Sequence, residues 1–135
     1  MKFEKGFTYL ATPYRHKDIE IVEMRLHALK QIAAVFSTQG DLVISPVLQF
    51  HQIVHQLPNK KNFWKPLCRR WLKQSIRLCI LQFDMWELSE GVADEFKFAT
   101  KHDIPIMYVN PDHYINKHRY KELMNEQIQR DSLEG

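Results

Sequence analysis

The sequence predicts an α/β fold in which helices cover both faces of a mostly parallel sheet of four to five strands. Three observations predict it. Short β-rich runs alternate with stretches of helical periodicity, the order that builds parallel crossover units. The first two runs stop at prolines, Pro13 and Pro46, so polar loops leave the carboxyl ends of the strands. With 44% hydrophobic and 26% charged residues in 135, the chain has the composition of one globular domain with a sizeable core.

The elements follow in order. Phe7-Thr8-Tyr9-Leu10-Ala11-Thr12 is β-rich and forms the first strand. Asp18 is placed to cap a helix running to about Gln39, with Ile19, Val22, Leu26, Leu29, Ala33 and Phe36 as its apolar stripe. Gly40 then sits where a helix end takes the left-handed conformation. Leu42-Val43-Ile44-Ser45 is the second strand, and Val47 to Leu57 reads as helical, packing through Leu48, Ile53 and Leu57. Pro58-Asn59-Lys60-Lys61-Asn62 is the most loop-like interior stretch, where mobility is expected. A helix from Phe63 to Ser75 leads to the third strand, Arg77 to Phe83. Ser89 caps the next helix, and Ile104 to Val109 is the fourth strand, with Pro105 at a position needing no ladder donor. A polar helix over 114–131 ends a single domain whose core spans 7–110.

A formal charge of +3 permits an anionic ligand but argues against a nucleic-acid binder, which carries a stronger basic stripe. Cys68 and Cys79 lie in apolar runs and read as reduced core thiols of a cytoplasmic protein. Met1 to Lys5 leads into a strand, not the apolar core of a signal peptide, and no apolar run approaches the ~18 residues that cross a bilayer.

Glu95 is the first candidate for chemistry. Val92, Phe96 and Ala99 form the expected sheet-facing stripe of its helix, and Glu95 lies about 60° from the stripe's centre at 100° per residue. Asp94 points the other way. A carboxylate at the edge of a buried face is costly unless something uses it, and ligands bind at the carboxyl ends of strands in open α/β sheets. The bland alternative is an ion pair with Lys97, Lys101 or a neighbouring arginine.

Other candidates gather at the same edge. Thr12-Pro13-Tyr14-Arg15-His16-Lys17-Asp18 places polar donors where a helix starts; Arg15 suits a phosphate or sugar oxygen, and Tyr9 or Tyr14 suits a ligand ring. Ser45 and Pro46 bring His51 to that edge. His51 and His55 have the spacing of a helical zinc pair but lack a third ligand, so no metal and no other cofactor is expected. Lys60, Lys61, Lys65, Arg69, Arg70, Lys73 and Arg77, interleaved with Phe63, Trp64 and Trp71, could contact single-stranded nucleic acid by stacking. The spacing of Trp64, Leu67, Cys68, Trp71 and Leu72 favours an ordinary amphipathic helix instead. No standard glycine-rich phosphate loop occurs.

Tyr9-Leu10-Ala11-Thr12-Pro13-Tyr14-Arg15, Ile44-Ser45-Pro46 and Trp86-x-x-Ser89-x-Gly91-x-x-x-Glu95, in that order, resemble the nucleoside 2-deoxyribosyltransferase-like superfamily. They are most similar to a small bacterial and phage branch, over residues 7 to 110. The resemblance implies a Rossmann-like three-layer α/β/α sandwich acting on a nucleoside or nucleotide. It implies Glu95 as the nucleophile at the anomeric carbon, Tyr9 as the residue holding it, and Arg15 and Ser89 as sugar or phosphate contacts. Thr12, Pro13, Tyr14, Ser45, His51, Trp86 and Gly91 complete the expected substrate-binding set.

One departure from that pattern is clear. Transferases carry an aspartate before the third strand to assist the leaving base, but Trp71-Leu72-Lys73-Gln74-Ser75 has no carboxylate. Asp84 or Glu87, in the loop after the third strand, could substitute as the proton donor, with Asp84 the first choice. The expected function is therefore hydrolysis or transfer at an N-glycosidic bond, the alternative a nucleotide-binding module without turnover. A homo-oligomer, dimer or tetramer, is expected from the small domain and the two tryptophans of the basic helix; no membrane partner is.

Overall fold

Strand β1 (Phe7–Ala11) alternates about the sheet plane, sending Leu10 to one face and Tyr9 and Ala11 to the other. The computed structural model describes residues 2–134, with the side chains at 117, 127 and 130–134 outside the described set. Three further strands, β2 (Leu42–Ile44), β3 (Ser75–Leu81) and β4 (Ile106–Val109), complete a four-stranded sheet in the order β2-β1-β3-β4. Every pairing is parallel, with Tyr9 level with Ile44 on one side and Leu78 on the other.

Helices α1 (Ile19–Thr38) and α5 (Lys117–Glu134) cover one face, where Leu10, Ile21, Leu29, Cys79, Phe83 and Tyr120 pack together. Helices α3 (Lys61–Lys73) and α4 (Glu90–Lys101) cover the other over Tyr9, Leu72, Leu78, Ile80, Val92 and Ala99. The result is a Rossmann-like three-layer α/β/α sandwich. Each buried leucine or isoleucine contributes about 1.5–3 kcal/mol to holding the layers together.

The predicted caps are in place. Asp18 accepts from the Glu20 amide at 2.9 Å, and Ser89 from the Val92 amide at 3.3 Å. Gly40 has φ +99°, and a Cβ there would meet the Lys2 carbonyl oxygen at 2.8 Å, so glycine is required twice over. At the opposite end of the sheet from the loops described below, Arg77 donates to Asp41 at 2.8 Å and to Thr8 at 3.0 Å. This removes Arg77 from the basic cluster of α3.

Several expectations are corrected. The stretch from Val47 to Leu57 is a short helix α2 (Pro46–Phe50) followed by a 3-10 segment (His51–Gln56). Helix α3 begins two residues early and β3 begins at Ser75, while β4 begins only at Ile106. Pro105 still serves the ladder, its carbonyl accepting from the Leu78 amide at 2.8 Å. The C-terminal helix starts at Lys117, after a separate 3-10 turn (Pro111–Tyr114). Ile19 is 67% exposed and Phe96 39%, so neither belongs to the core. Among the described residues no helix is long and apolar enough to cross a membrane.

Trp64 and Trp71 pack inside the protomer. The Phe50 ring lies 5.5 Å from each, edge-on to Trp64 and stacked on Trp71, and the Trp64 indole donates to the Pro58 carbonyl at 2.8 Å. This aromatic clamp ties α2 to α3.

Candidate functional site

The chain leaves β1 toward α1 on one face and leaves β3 toward α4 on the other. Adjacent strands whose connections diverge leave a crevice between their carboxyl ends, the place where open α/β sheets hold ligands. A cavity of about 680 Å³ lies there, its floor formed by Tyr9 to Thr12. Its volume is that of a small-molecule site.

One wall is built from α3 and α4. Ser89 caps α4, so Val92, Glu95 and Ala99 fall on consecutive inner turns of that helix. Val92 and Ala99 are buried on the sheet; Glu95, half-buried between them, lines the cavity. Phe96 was expected to share this stripe, yet it turns to solvent, which moves Glu95 from the stripe's edge to its middle. Asp94 faces α3 instead, where Arg69 binds it through two hydrogen bonds and Lys65 approaches to 4.0 Å. Lys61 pairs with Glu90 at 2.6 Å. Lys61, Lys65 and Arg69 of α3 are thus engaged by Glu90 and Asp94, and among the described residues Glu95 has no ion-pair partner.

Withdrawal from water pushes the Glu95 carboxyl up to about 8, with the nearby Asp94 charge adding to the rise and contact with Tyr9 opposing it. Tyr9 reaches this carboxyl from β1. Its hydroxyl is fully buried and meets no partner in full hydrogen-bond geometry, yet it lies close enough to Glu95 and the Cys68 thiol to be influenced by both. Burial, reinforced by the Glu95 charge, holds the Tyr9 hydroxyl well above its ordinary range. Cys68, expected to be a plain core thiol, lines the cavity as the third member of this group; burial pushes it up to about 11, so it stays a thiol.

The loop after β1 forms the rim. Thr12, Pro13, Tyr14 and Arg15 all line the cavity, and the Tyr14 hydroxyl is hydrogen-bonded to His51 Nδ1, locking the loop to the 3-10 segment. Ser89 and Gly91 line the rim from the α4 side. Three expected residues stand apart from the cavity lining. Ser45 is buried and caps α2, accepting from the Leu48 amide. Trp86 leans on Tyr108 with ring centres 5.8 Å apart. Asp84 lies near Tyr120, on the other face of the sheet from Glu95.

The second wall was missed by sequence reasoning. Arg25 of α1 is 6% exposed and lines the cavity, as do Met124 and Ile128 of α5. A signal existed: Ile21, Arg25, Ala28 and Ile32 recur at helical spacing, so an arginine stands within a buried series. The α5 contribution had no such signal, because that helix is polar along most of its length.

No curated protein matches the chain. A family model does match, over residues 6–110, which includes β1 through β4 and every part of the cavity except the α5 wall. The chain therefore belongs to the family described as Domain of unknown function (DUF1937).

Proposed function

We propose that the protein cleaves or transfers the N-glycosidic bond of a nucleoside or nucleotide, with Glu95 as the nucleophile. The observation that carries this reading is a carboxyl group without an ion-pair partner among the described residues, half-buried in a ligand-sized cavity where the strands end. The resemblance of the Trp86-to-Glu95 motif to nucleoside 2-deoxyribosyltransferase-like enzymes supplies the reaction class.

In the first step a Glu95 carboxylate oxygen bonds to the anomeric carbon as the carbon–nitrogen bond breaks. The electron pair leaves on the base nitrogen, which takes up a proton. Water or a second base then attacks the same carbon and releases the carboxylate, as in retaining glycosidases. Positive charge developing on the sugar favours the ionised carboxylate and draws the raised pKa of Glu95 down as the step proceeds. Tyr9 limits which carboxylate conformations are available. Asp84 does not line the cavity, so the Tyr14–His51 pair is the better-placed proton donor to the departing base.

A second reading, nucleotide binding without turnover, is favoured by the buried setting of Glu95, where withdrawal from water raises the carboxyl to about 8 and opposes the ionised form that a nucleophile needs. Incubation with a panel of nucleosides and monophosphates, followed by chromatography for free base, separates the two. Base release by the native protein, abolished in Glu95→Gln and accompanied by a glycosyl adduct on Glu95 in quenched samples, is the expected result. Saturable binding with no base after many hours would leave the binding module standing and remove the enzyme.

A further inference from the structure

Arg25 is a charged side chain built into the core side of α1 and turned to the cavity. Its Nε donates to the Tyr120 hydroxyl at 2.9 Å, and its guanidinium carbon stands 5.9 Å from the centre of that ring. Among the described residues no carboxylate lies within ion-pair distance of it, and its Nη groups make no hydrogen bond. Asp84 is close enough to influence Tyr120, but it forms no ion pair with the arginine. Glu20, which could have served from the same helix, is taken by Arg119 through two hydrogen bonds of 3.2 and 3.0 Å. A buried cation without a counter-ion is strongly destabilising, so a fold that keeps one leaves room for an anion that arrives from outside. Arg15 on the adjoining rim likewise has no carboxylate partner among the described residues, and it too lines the cavity.

The carboxyl and the buried arginine stand on different walls. Tyr9 and Glu95 stand on the α3/α4 side of β1, while Arg25 stands on the α1/α5 side, reached across Leu10. We propose that Arg25 anchors an anionic phosphate monoester of the ligand, so that the cavity takes a sugar phosphate whose other end faces Glu95. The planar fork of an arginine suits two phosphate oxygens at once, and with Nε donating to Tyr120 the two Nη groups remain as donors for a ligand in the cavity that Arg25 lines. The assignment of the sugar end rests on the glycosyl reading above; the anion anchor itself does not.

The test uses the full chain and probes that contain no glycosidic base: ribose 5-phosphate, inorganic phosphate and ribose. Calorimetry is expected to show ribose 5-phosphate binding well ahead of ribose. Arg25→Met is expected to lose about ten- to a hundredfold of the phosphate affinity, the range for a charge-assisted contact. Tyr120→Phe, which removes the Nε partner and keeps the charge, is expected to weaken it less. In native protein labelled with 15N-arginine, the Arg25 Nε–H signal, sheltered by Tyr120, is expected to move with ribose 5-phosphate and with phosphate but not with ribose; this readout needs no variant to fold.

Equal binding of ribose and ribose 5-phosphate, or phosphate binding that leaves the Arg25 signal unmoved, overturns the anchor. A purely structural arginine would produce that second result, with Arg25→Met and Tyr120→Phe lowering stability alike. The two readings fail separately. Phosphate anchoring with no base ever released removes the glycosyl chemistry and keeps the anchor. Base release with the same KM for nucleosides and their monophosphates does the reverse.

Discussion

Tyr9 of β1 and Glu95 of α4 meet at the floor of the cavity, a buried hydroxyl beside a carboxyl held up to about 8 by withdrawal from water. Among the described residues neither group completes its hydrogen bonding. Such a pair is poorly arranged for stability and well arranged for a ligand that supplies the missing partners.

That arrangement makes Tyr9→Phe informative. A buried hydroxyl without a partner can be removed at little or no loss, so the variant should be as stable as the native protein or gain up to ~1 kcal/mol. The Tyr9 contact lowers the Glu95 pKa, so its removal should raise that value further. Urea unfolding reads the first effect, and the midpoint of the pH–rate curve the second. A loss of stability beyond about 1 kcal/mol would mean that the hydroxyl is structurally bonded after all.

The carboxyl also sets a pH dependence of folding. Its folded pKa lies above its ordinary value of 4.5, so the folded state holds the proton that the unfolded chain releases. Its contribution is therefore fully present below about 4.5 and is lost as the pH rises through about 8. Glu95→Gln lacks this loss. Relative to the native protein, the variant should gain about 2–4 kcal/mol between pH 5 and pH 9, below the full value of the shift because the cavity admits water. Denaturation midpoints across that range, native against Glu95→Gln, should diverge; parallel curves would place the carboxyl in water.

The sign of the activity profile identifies the role. A nucleophile must be ionised, so kcat/KM should climb by roughly fiftyfold from pH 6 to pH 8 and level off above. A Glu95 acting as a proton donor would give the mirror image, with activity falling above about 8. Initial rates of base release over pH 5.5–9.5 distinguish the two.

Much of this site is written in local sequence, and the exceptions have physical reasons. The helix caps at Asp18 and Ser89 are short-range signals and are where the spacing puts them. Glu95 stood out because a carboxylate beside Val92 and Ala99 conflicts with the period of the helix. Arg25 conflicts in the same way, but Val22, Leu26 and Leu29 supply a complete apolar stripe beside it and mask the second, mixed one. Cys68 looks like any core thiol until the fold places it against Tyr9. The 3-10 form of His51–Gln56 is set by tertiary contacts: Tyr14 holds His51, and the Phe50 clamp holds the helix before it. No local pattern encodes those contacts.

The clamp itself gives the last prediction. Phe50 stacks on Trp71 with an angle of 6° between rings and meets Trp64 edge-on at 70°, while the same side chain lines the cavity. Removing the ring deletes two aromatic contacts and opens a void between α2 and α3. Phe50→Ala should cost about 2–3 kcal/mol, less than a fully buried phenylalanine because the site is half-exposed. Water reaching the indoles should shift tryptophan emission to longer wavelength in the folded variant. Because α2 leads into the segment that carries His51, the loss should also loosen the Tyr14–His51 bond, lowering ligand affinity as well as stability. Retained emission and retained stability would show that the rings touch without supporting the wall.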